Sequence, residues 1–189
     1  GYIEVATEPS FAPNEFIDTT KTGQDRYAGS DIQLANYIAN ELGVELRLKP
    51  MDFTTVLGSI TSGKYDLAIS ALAYTPERAE AMNLSKGYYF GSEDPQKAYG
   101  LLIRQEDAGT ITGAGDLKNR TITVQNGSLQ ELFVKEQLPD CGKLNLVSSD
   151  GADRPCRRCG RLAENGTALS GFHPGKRTDD PSGFLLYCR

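Results

Sequence analysis

Thr75-Pro76-Glu77-Arg78 is the stretch of this sequence best suited to start a helix and place a cation at its first turn. Thr75 suits the N-cap, Pro76 the first helical position, and Glu77 the positive end of the helix dipole. From there the planar guanidinium of Arg78 can offer a carboxylate two parallel charge-assisted hydrogen bonds, which a lysine cannot imitate. A solvated helical arginine is the ordinary alternative. Gln125-Asn126-Gly127-Ser128 is a second candidate, since free backbone N–H groups and a helix dipole at such a turn favour an anion. Cys156-x-x-Cys159, His173 and Cys188 could supply four zinc-type ligands. One CxxC pair with widely spaced partners is a weak pattern, and the segment lacks the alternating apolar residues of a zinc ribbon, so neither metal nor cofactor is expected. His173 is the only histidine. Acid–base catalysis would then rest almost wholly on Glu8, and an enzyme is not expected.

The elements that must position these residues alternate between strand and helix patterns. Tyr2 to Thr7 reads as a strand, broken into a loop by Pro9, Pro13 and Asn14. Ser30 or Asp31 is the expected N-cap of a helix with Ile32, Ala35, Ile38, Ala39 and Leu42 on one face, closed by Gly43. Val44, Leu46 and Leu48 alternate with charged residues, as a strand does, up to Pro50. A short helix carrying Val56, Leu57 and Ile60 stops at Gly63. Leu67 to Leu72 is a continuous apolar run of the kind buried in a parallel sheet. The order is βαβαβ, an open α/β lobe, and residues 70–78 fall beyond the carboxyl ends of its strands, where such sheets bind ligands. A second unit opens at Tyr99 to Ile103. It continues through a short helix near Asp116-Leu117, a strand Thr121 to Val124, a helix with Leu129, Leu132, Phe133 and Leu138 as its apolar stripe, and a strand Leu144 to Val147.

The composition permits packed cores, with 39% hydrophobic residues in a chain of 189. No run reaches the roughly 18 apolar residues of a membrane-spanning helix. The chain starts directly on a strand, so either a cytosolic protein or one whose export signal has been removed is expected. Residues 151–189 hold seven Lys/Arg and four Asp/Glu and carry +3, so residues 1–150 carry −8 of the net −5. An acidic body argues against nucleic acid as a partner, because phosphate binding needs a concentrated basic face.

Four stretches in order resemble the amino-acid-binding members of the bacterial extracellular solute-binding proteins, which have the type II periplasmic-binding fold. They are residues 6–13 (Ala-Thr-Glu-Pro-Ser-Phe-Ala-Pro), 29–35 (Gly-Ser-Asp-Ile-Gln-Leu-Ala), 66–78 from Asp66-Leu67-Ala68-Ile69-Ser70 to Arg78, and 124–128 (Val-Gln-Asn-Gly-Ser). The resemblance covers residues 1 to about 149. It implies two α/β lobes, residues 1–95 and a partial second lobe 96–149, closing about a hinge near residues 92–98 on a free amino acid. Arg78 matches the arginine that pairs with the ligand's α-carboxylate. Ser70, Ala71, Leu72 and Ala73 match the segment that holds the ligand's carboxylate and amino groups, although the two alanines stand where serines are common and lose a side-chain acceptor. Phe11 and Phe53 match aromatic positions that stack on the ligand; Phe53 could equally be core. Glu8 matches a position often acidic in binders of basic amino acids, with a surface carboxylate as the alternative. Ser128 and the N–H of Leu129 match the second lobe's contacts to the carboxylate.

The implied role is capture of a free amino acid, polar or basic, for an ABC-type importer. The resemblance also implies a monomer acting outside the cytoplasm with a membrane permease as its partner, in the periplasm or lipid-anchored on the outer face of the membrane. A receptor's sensory domain and, less readily, a dehydratase of the same fold are the alternatives. From about Asp150 the resemblance stops. Residues 151–189 contain no Val, Ile or Met but six Arg, six Gly, three Pro and three Cys. The acidic residue that would bind the α-amino group and the remaining strands of the second lobe are not recognisable there. A tail that is disordered, or read out of frame from G/C-rich DNA, is expected, and the incomplete second lobe is expected to weaken binding.

Overall fold

A strand buried on both faces needs apolar residues on both, and β1 (Tyr2–Thr7) has them: the neighbours Val5 and Ala6, which face opposite ways, are 1% and 0% exposed. In this computed structural model, which describes residues 1–88, 100–103, 107, 109–148, 167–169 and 185–188, the chain divides into two compact units. One comprises Gly1–Ser85; the other holds Lys86–Val147 and the two strands described beyond it. The expected boundary at residue 95, the expected hinge, and Cys156, Cys159 and His173 lie outside the described residues.

In the first unit β1 is the middle strand of a parallel sheet. It is flanked by β5 (Glu45–Pro50), in register from Tyr2 opposite Glu45 to Thr7 opposite Pro50, and by β6 (Leu67–Ala68). Helix α1 (Ser30–Leu42) packs Ile32 and Ala35 onto Val5, Leu48 and Ile69. Three short antiparallel strands lie between β1 and α1: β2 (Ser10–Phe11), β3 (Glu15–Ile17) and β4 (Tyr27–Ala28). The sequence suggests only a loop there, since strands of two or three residues are too short to show a period of two.

The start of α1 also differs from expectation. Its N-cap is Gly29, with φ 122 and ψ 172, and Asp31 stands in the first turn. The physical reason is crowding, because a Cβ on Gly29 would lie 2.0 Å from the carbonyl oxygen of Asn14. The helix ends as expected on Gly43, whose φ of 65 lets its N–H reach the carbonyls of Ala39 and Asn40. Helix α2 (Phe53–Thr61) is capped by Asp52, which accepts the N–H of Thr55.

The second unit is built on a mixed sheet in the order β10-β7-β11-β8-β9. Its strands are β7 (Gly100–Ile103), β8 (Thr121–Gln125), β9 (Lys143–Val147), β10 (Thr167–Leu169) and β11 (Leu185–Cys188). Parallel pairing of β8 with β9 requires a crossover, and α4 (Leu129–Gln137) supplies it. Two strands therefore come from the tail in which none was recognisable. Phe133, Val134 and Leu138 of this region join Ile103, Ile111, Leu117, Ile122 and Val124 in the core. Leu132, expected in the apolar stripe, is 41% exposed, and Val134 takes the inward position instead.

Replacing Gly29 by Ala is expected to cost about 3 kcal/mol, because the side chain meets fixed backbone at a φ that L-residues avoid. Urea unfolding measures this, and a loss below about 0.5 kcal/mol, the size of an ordinary surface change, would contradict it.

Candidate functional site

Helix α3 (Pro76–Ala81) begins as its sequence dictates. Thr75 is extended at φ −136 and ψ 153, and its hydroxyl accepts the N–H of Arg78 at 3.1 Å. Arg78 is 9% exposed, so it is not a solvated helical arginine. A buried guanidinium needs partners. One Nη1–H donates to the carbonyl of Ala73 at 2.7 Å, and the guanidinium carbon lies 5.5 Å from the centroid of the Phe53 ring. Such a contact contributes about 0.5–2 kcal/mol and, with the Ala73 carbonyl, holds the guanidinium plane in one orientation. Phe53 opens α2 and is itself 9% exposed, so it serves both as core and as the aromatic surface under the cation.

Residues 70–73 leave the sheet earlier than their apolar run suggests. Ladder pairing with β1 ends at Ala68, after which only the N–H of Ile69 still reaches the carbonyl of Ala6. Side chains from elsewhere take over the backbone. The hydroxyl of Ser70 accepts the N–H of Glu8 at 3.0 Å and donates to Oε1 of Glu15 at 2.9 Å. Asp31 Oδ2 accepts the N–H of Ala71 at 2.7 Å. Ala71 is thereby held at φ 46, in the left-handed region that alanine rarely adopts. Departures of this kind collect where a backbone must present itself to a ligand.

Glu8 is 3% exposed, which removes the surface-carboxylate alternative. Two further acids in this unit are as deeply buried, Glu15 at 1% and Asp31 at 2%. Burial above all, then the charge of Asp31, pushes the Glu15 carboxyl from 4.5 up to about 9, against the opposing hydrogen bond from Ser70. Phe11 ends β2 directly opposite Glu15. The sequence marks Asp31 only as a helix-cap candidate within a stretch of resemblance, and it does not mark Glu15. An acid in an apparent loop and an acid at an apparent helix cap both have commoner explanations than burial.

In the second unit, Ser128 is the N-cap of α4. Its hydroxyl accepts the N–H of Glu131 at 3.3 Å and donates to the carbonyl of Gln125 at 2.7 Å. The turn is not a set of free donors: Glu131 Oε2 accepts the N–H of Gly127 at 2.7 Å, and Lys135 pairs with the other oxygen of Glu131 at 2.5 Å. The helix end has thus taken in its own carboxylate, as a capping box does. Leu129 follows as the first helical residue.

Glu8, Phe11, Phe53, Ser70–Ala73 and Arg78 are therefore all placed in the first unit, with Arg78 on Phe53 and Glu8 on Ser70, while Ser128 and Leu129 stand together in the second. Among the described residues no group of three or more His, Cys, Asp or Glu could hold a metal ion. None of the described helices is long and apolar enough to cross a membrane.

Residues 3–98 match the sequence profile of the bacterial extracellular solute-binding proteins, family 3. The arginine-binding extracellular protein ArtP of Bacillus subtilis is 32% identical over 138 residues, which are 73% of this chain and 49% of that protein. The ABC transporter arginine-binding protein 1 of Escherichia coli is 28% identical over 150 residues, 79% of this chain and 56% of the other. This chain spans about half the length of those curated relatives. Among solved structures, the amino acid ABC transporter substrate-binding protein AbpA of Streptococcus pneumoniae, bound to L-arginine, aligns with a TM-score of 0.67 and 31% identity. That match covers 100% of this chain and 68% of the other. The fold class is the α/β, type II periplasmic-binding one.

Ser70→Ala is expected to lower stability by about 2–3 kcal/mol, because it leaves the N–H of Glu8 and an oxygen of Glu15 buried without a partner. Ser59 offers a control, since its hydroxyl only bonds back within its own helix, to the carbonyl of Val56. If Ser59→Ala cost as much in urea unfolding, the Ser70 hydroxyl would hold nothing in particular.

Proposed function

The chain belongs to the bacterial extracellular solute-binding proteins of family 3, and on that premise we propose that it binds a free amino acid, with a basic side chain favoured, for delivery to an ABC-type importer. The observation that carries this reading is Arg78. It is a guanidinium buried to 9% exposure, anchored by the Ala73 carbonyl and laid on the ring of Phe53. That arrangement suits the planar, bidentate capture of an α-carboxylate. Of residues 70–73, Ala73 meets Arg78 through its backbone carbonyl, a contact that needs no side-chain hydroxyl.

The preference for a basic ligand rests on the buried carboxylate of Glu8, in a unit where Glu15 and Asp31 are buried as well. A cationic side chain compensates such a carboxylate, and Phe11 and Phe53 suit the aliphatic stem and cationic head of arginine or lysine. The relatives named for arginine, and the neighbour bound to L-arginine, agree with that preference. In the second unit, Ser128 and the N–H of Leu129 are the proposed contacts to the ligand, with Lys135 offsetting Glu131 beside them. We take the protein to act as a monomer outside the cytoplasm, in the periplasm or lipid-anchored on the outer face of the membrane. Its partner there is the importer's permease, and no chemical step is assigned to it.

A thermal melt with each of the twenty amino acids at millimolar concentration tests the reading. A ligand present at about 100 times its dissociation constant adds roughly 2.7 kcal/mol of stability, so arginine and lysine are expected to raise the midpoint and acidic amino acids to leave it unchanged. Arg78→Lys keeps the charge but loses the second parallel hydrogen bond, at a cost of about 1.5–3 kcal/mol, or ~10- to 150-fold in affinity. Equal affinity in the Arg78→Lys protein would rule out the guanidinium as the carboxylate's partner.

A further inference from the structure

Three side chains and one backbone N–H, from four parts of the first unit, come together at the binding segment. Glu15 comes from β3, Asp31 from the first turn of α1, Ser70 from the chain after β6, and Glu8 from the end of β1. Ser70 has one hydroxyl proton and donates it to Oε1 of Glu15. The other oxygen, Oε2, is buried and receives no hydrogen bond. The charged groups acting on Glu15 are Asp31 and Glu8, both acids, and the residue opposite it in the strand ladder is Phe11, which carries no charge. Asp31 lies near enough to Glu15 to push its carboxyl up through both charge and hydrogen bonding, and two buried carboxylates so placed do not both stay ionised without a cation. Among the described residues no group of three or more His, Cys, Asp or Glu could hold a metal ion. A single proton on Oε2 of Glu15, donated to Asp31, removes the repulsion and satisfies the orphan oxygen together.

We propose that Glu15 and Asp31 are positioning residues that share one proton and, through Ser70 and Ala71, fix the backbone of the ligand-binding segment. The pair touches that segment twice. Ser70 relays it to the N–H of Glu8, and Asp31 holds the N–H of Ala71 at φ 46. The role assigned to residues 70–73 rests on the amino-acid-binding reading, whereas the shared proton rests on this cluster alone. An acid that titrates near 4.5 unfolded and near 9 folded gives stabilisation that is complete below about 4.5 and is lost as pH rises to about 9.

The test compares the protein with Glu15→Gln and Glu15→Leu in thermal melts from pH 5 to 9.5, in hydrogen exchange at the Ala71 amide, and in titration with L-arginine. The glutamine amide can accept from Ser70 and donate to Asp31, as a protonated glutamate does. Glu15→Gln is therefore expected to keep the midpoint, the protected Ala71 amide and the arginine affinity found at pH 6, and to flatten the decline of midpoint toward pH 9. Glu15→Leu is expected to expose the Ala71 amide to exchange and to weaken arginine at least about tenfold. A glutamine variant that is destabilised at pH 6, or that keeps the unmodified protein's pH dependence, would overturn the shared proton. An Ala71 amide still protected in Glu15→Leu would overturn the positioning role. Should no amino acid bind while the glutamine variant flattens the profile, the pair stands and the ligand reading fails.

Discussion

The hydroxyl of Ser70 is the joint on which the first unit's site depends. One oxygen atom accepts the Glu8 N–H and gives its proton to Glu15, tying the end of β1, the strand β3 and the chain leaving β6 at one buried point. Each of these groups would cost about 1–3 kcal/mol if buried without a partner, so the three segments cannot move independently. Asp31 adds a fourth, by drawing the Ala71 N–H toward α1. The strand ends at Ala68 because these side chains compete with the β1 ladder for the backbone beyond it and win. That early exit leads the chain to Thr75, where α3 starts and Arg78 is set in place.

The arrangement spends stability to gain direction. A buried arginine, three buried acids and an alanine at positive φ would each weaken an ordinary core, and here they occupy one lobe. The return is a guanidinium held by the Ala73 carbonyl and the Phe53 ring, which on the proposed reading lowers the ordering cost of binding. Burial also strengthens whatever electrostatic contacts that guanidinium makes, since its surroundings screen less than water. In the second unit the same economy appears at the start of α4, where Glu131 and Lys135 settle the helix end internally.

What could be read in the sequence follows from how local its cause is. Thr75 and Pro76, Gly43 and the apolar faces of α1 and α2 act within a few residues of themselves, and their elements are where the patterns put them, although Leu42, expected on the apolar face of α1, is 61% exposed in its last turn. Gly29 owes its conformation to Asn14, fifteen residues away, so the cap was expected one or two positions late. Glu15 and Asp31 matter because of partners 55 and 40 residues distant; the neighbourhood of Asp31 marks it only as a helix-cap candidate, and that of Glu15 does not mark it. Arg78, Phe53 and Ser70 stand out as candidates through their order along the chain, but that order does not show whether Phe53 belongs to the core. The structure buries it and lays its ring 5.5 Å from the guanidinium carbon of Arg78. In the tail, Thr167–Leu169 and Leu185–Cys188 are strands of three and four residues in an Arg- and Gly-rich context, too short for a periodic signal to stand out.

The central claim is that the guanidinium of Arg78 is preset to receive the carboxylate of an amino acid. A crystal structure of the protein grown with L-arginine tests it most directly. The account predicts the ligand's α-carboxylate in two parallel hydrogen bonds with Arg78, its guanidinium still bonded to the Ala73 carbonyl and still over Phe53. Arginine bound with its carboxylate elsewhere, or an Arg78 that leaves Phe53 to meet it, would contradict the claim.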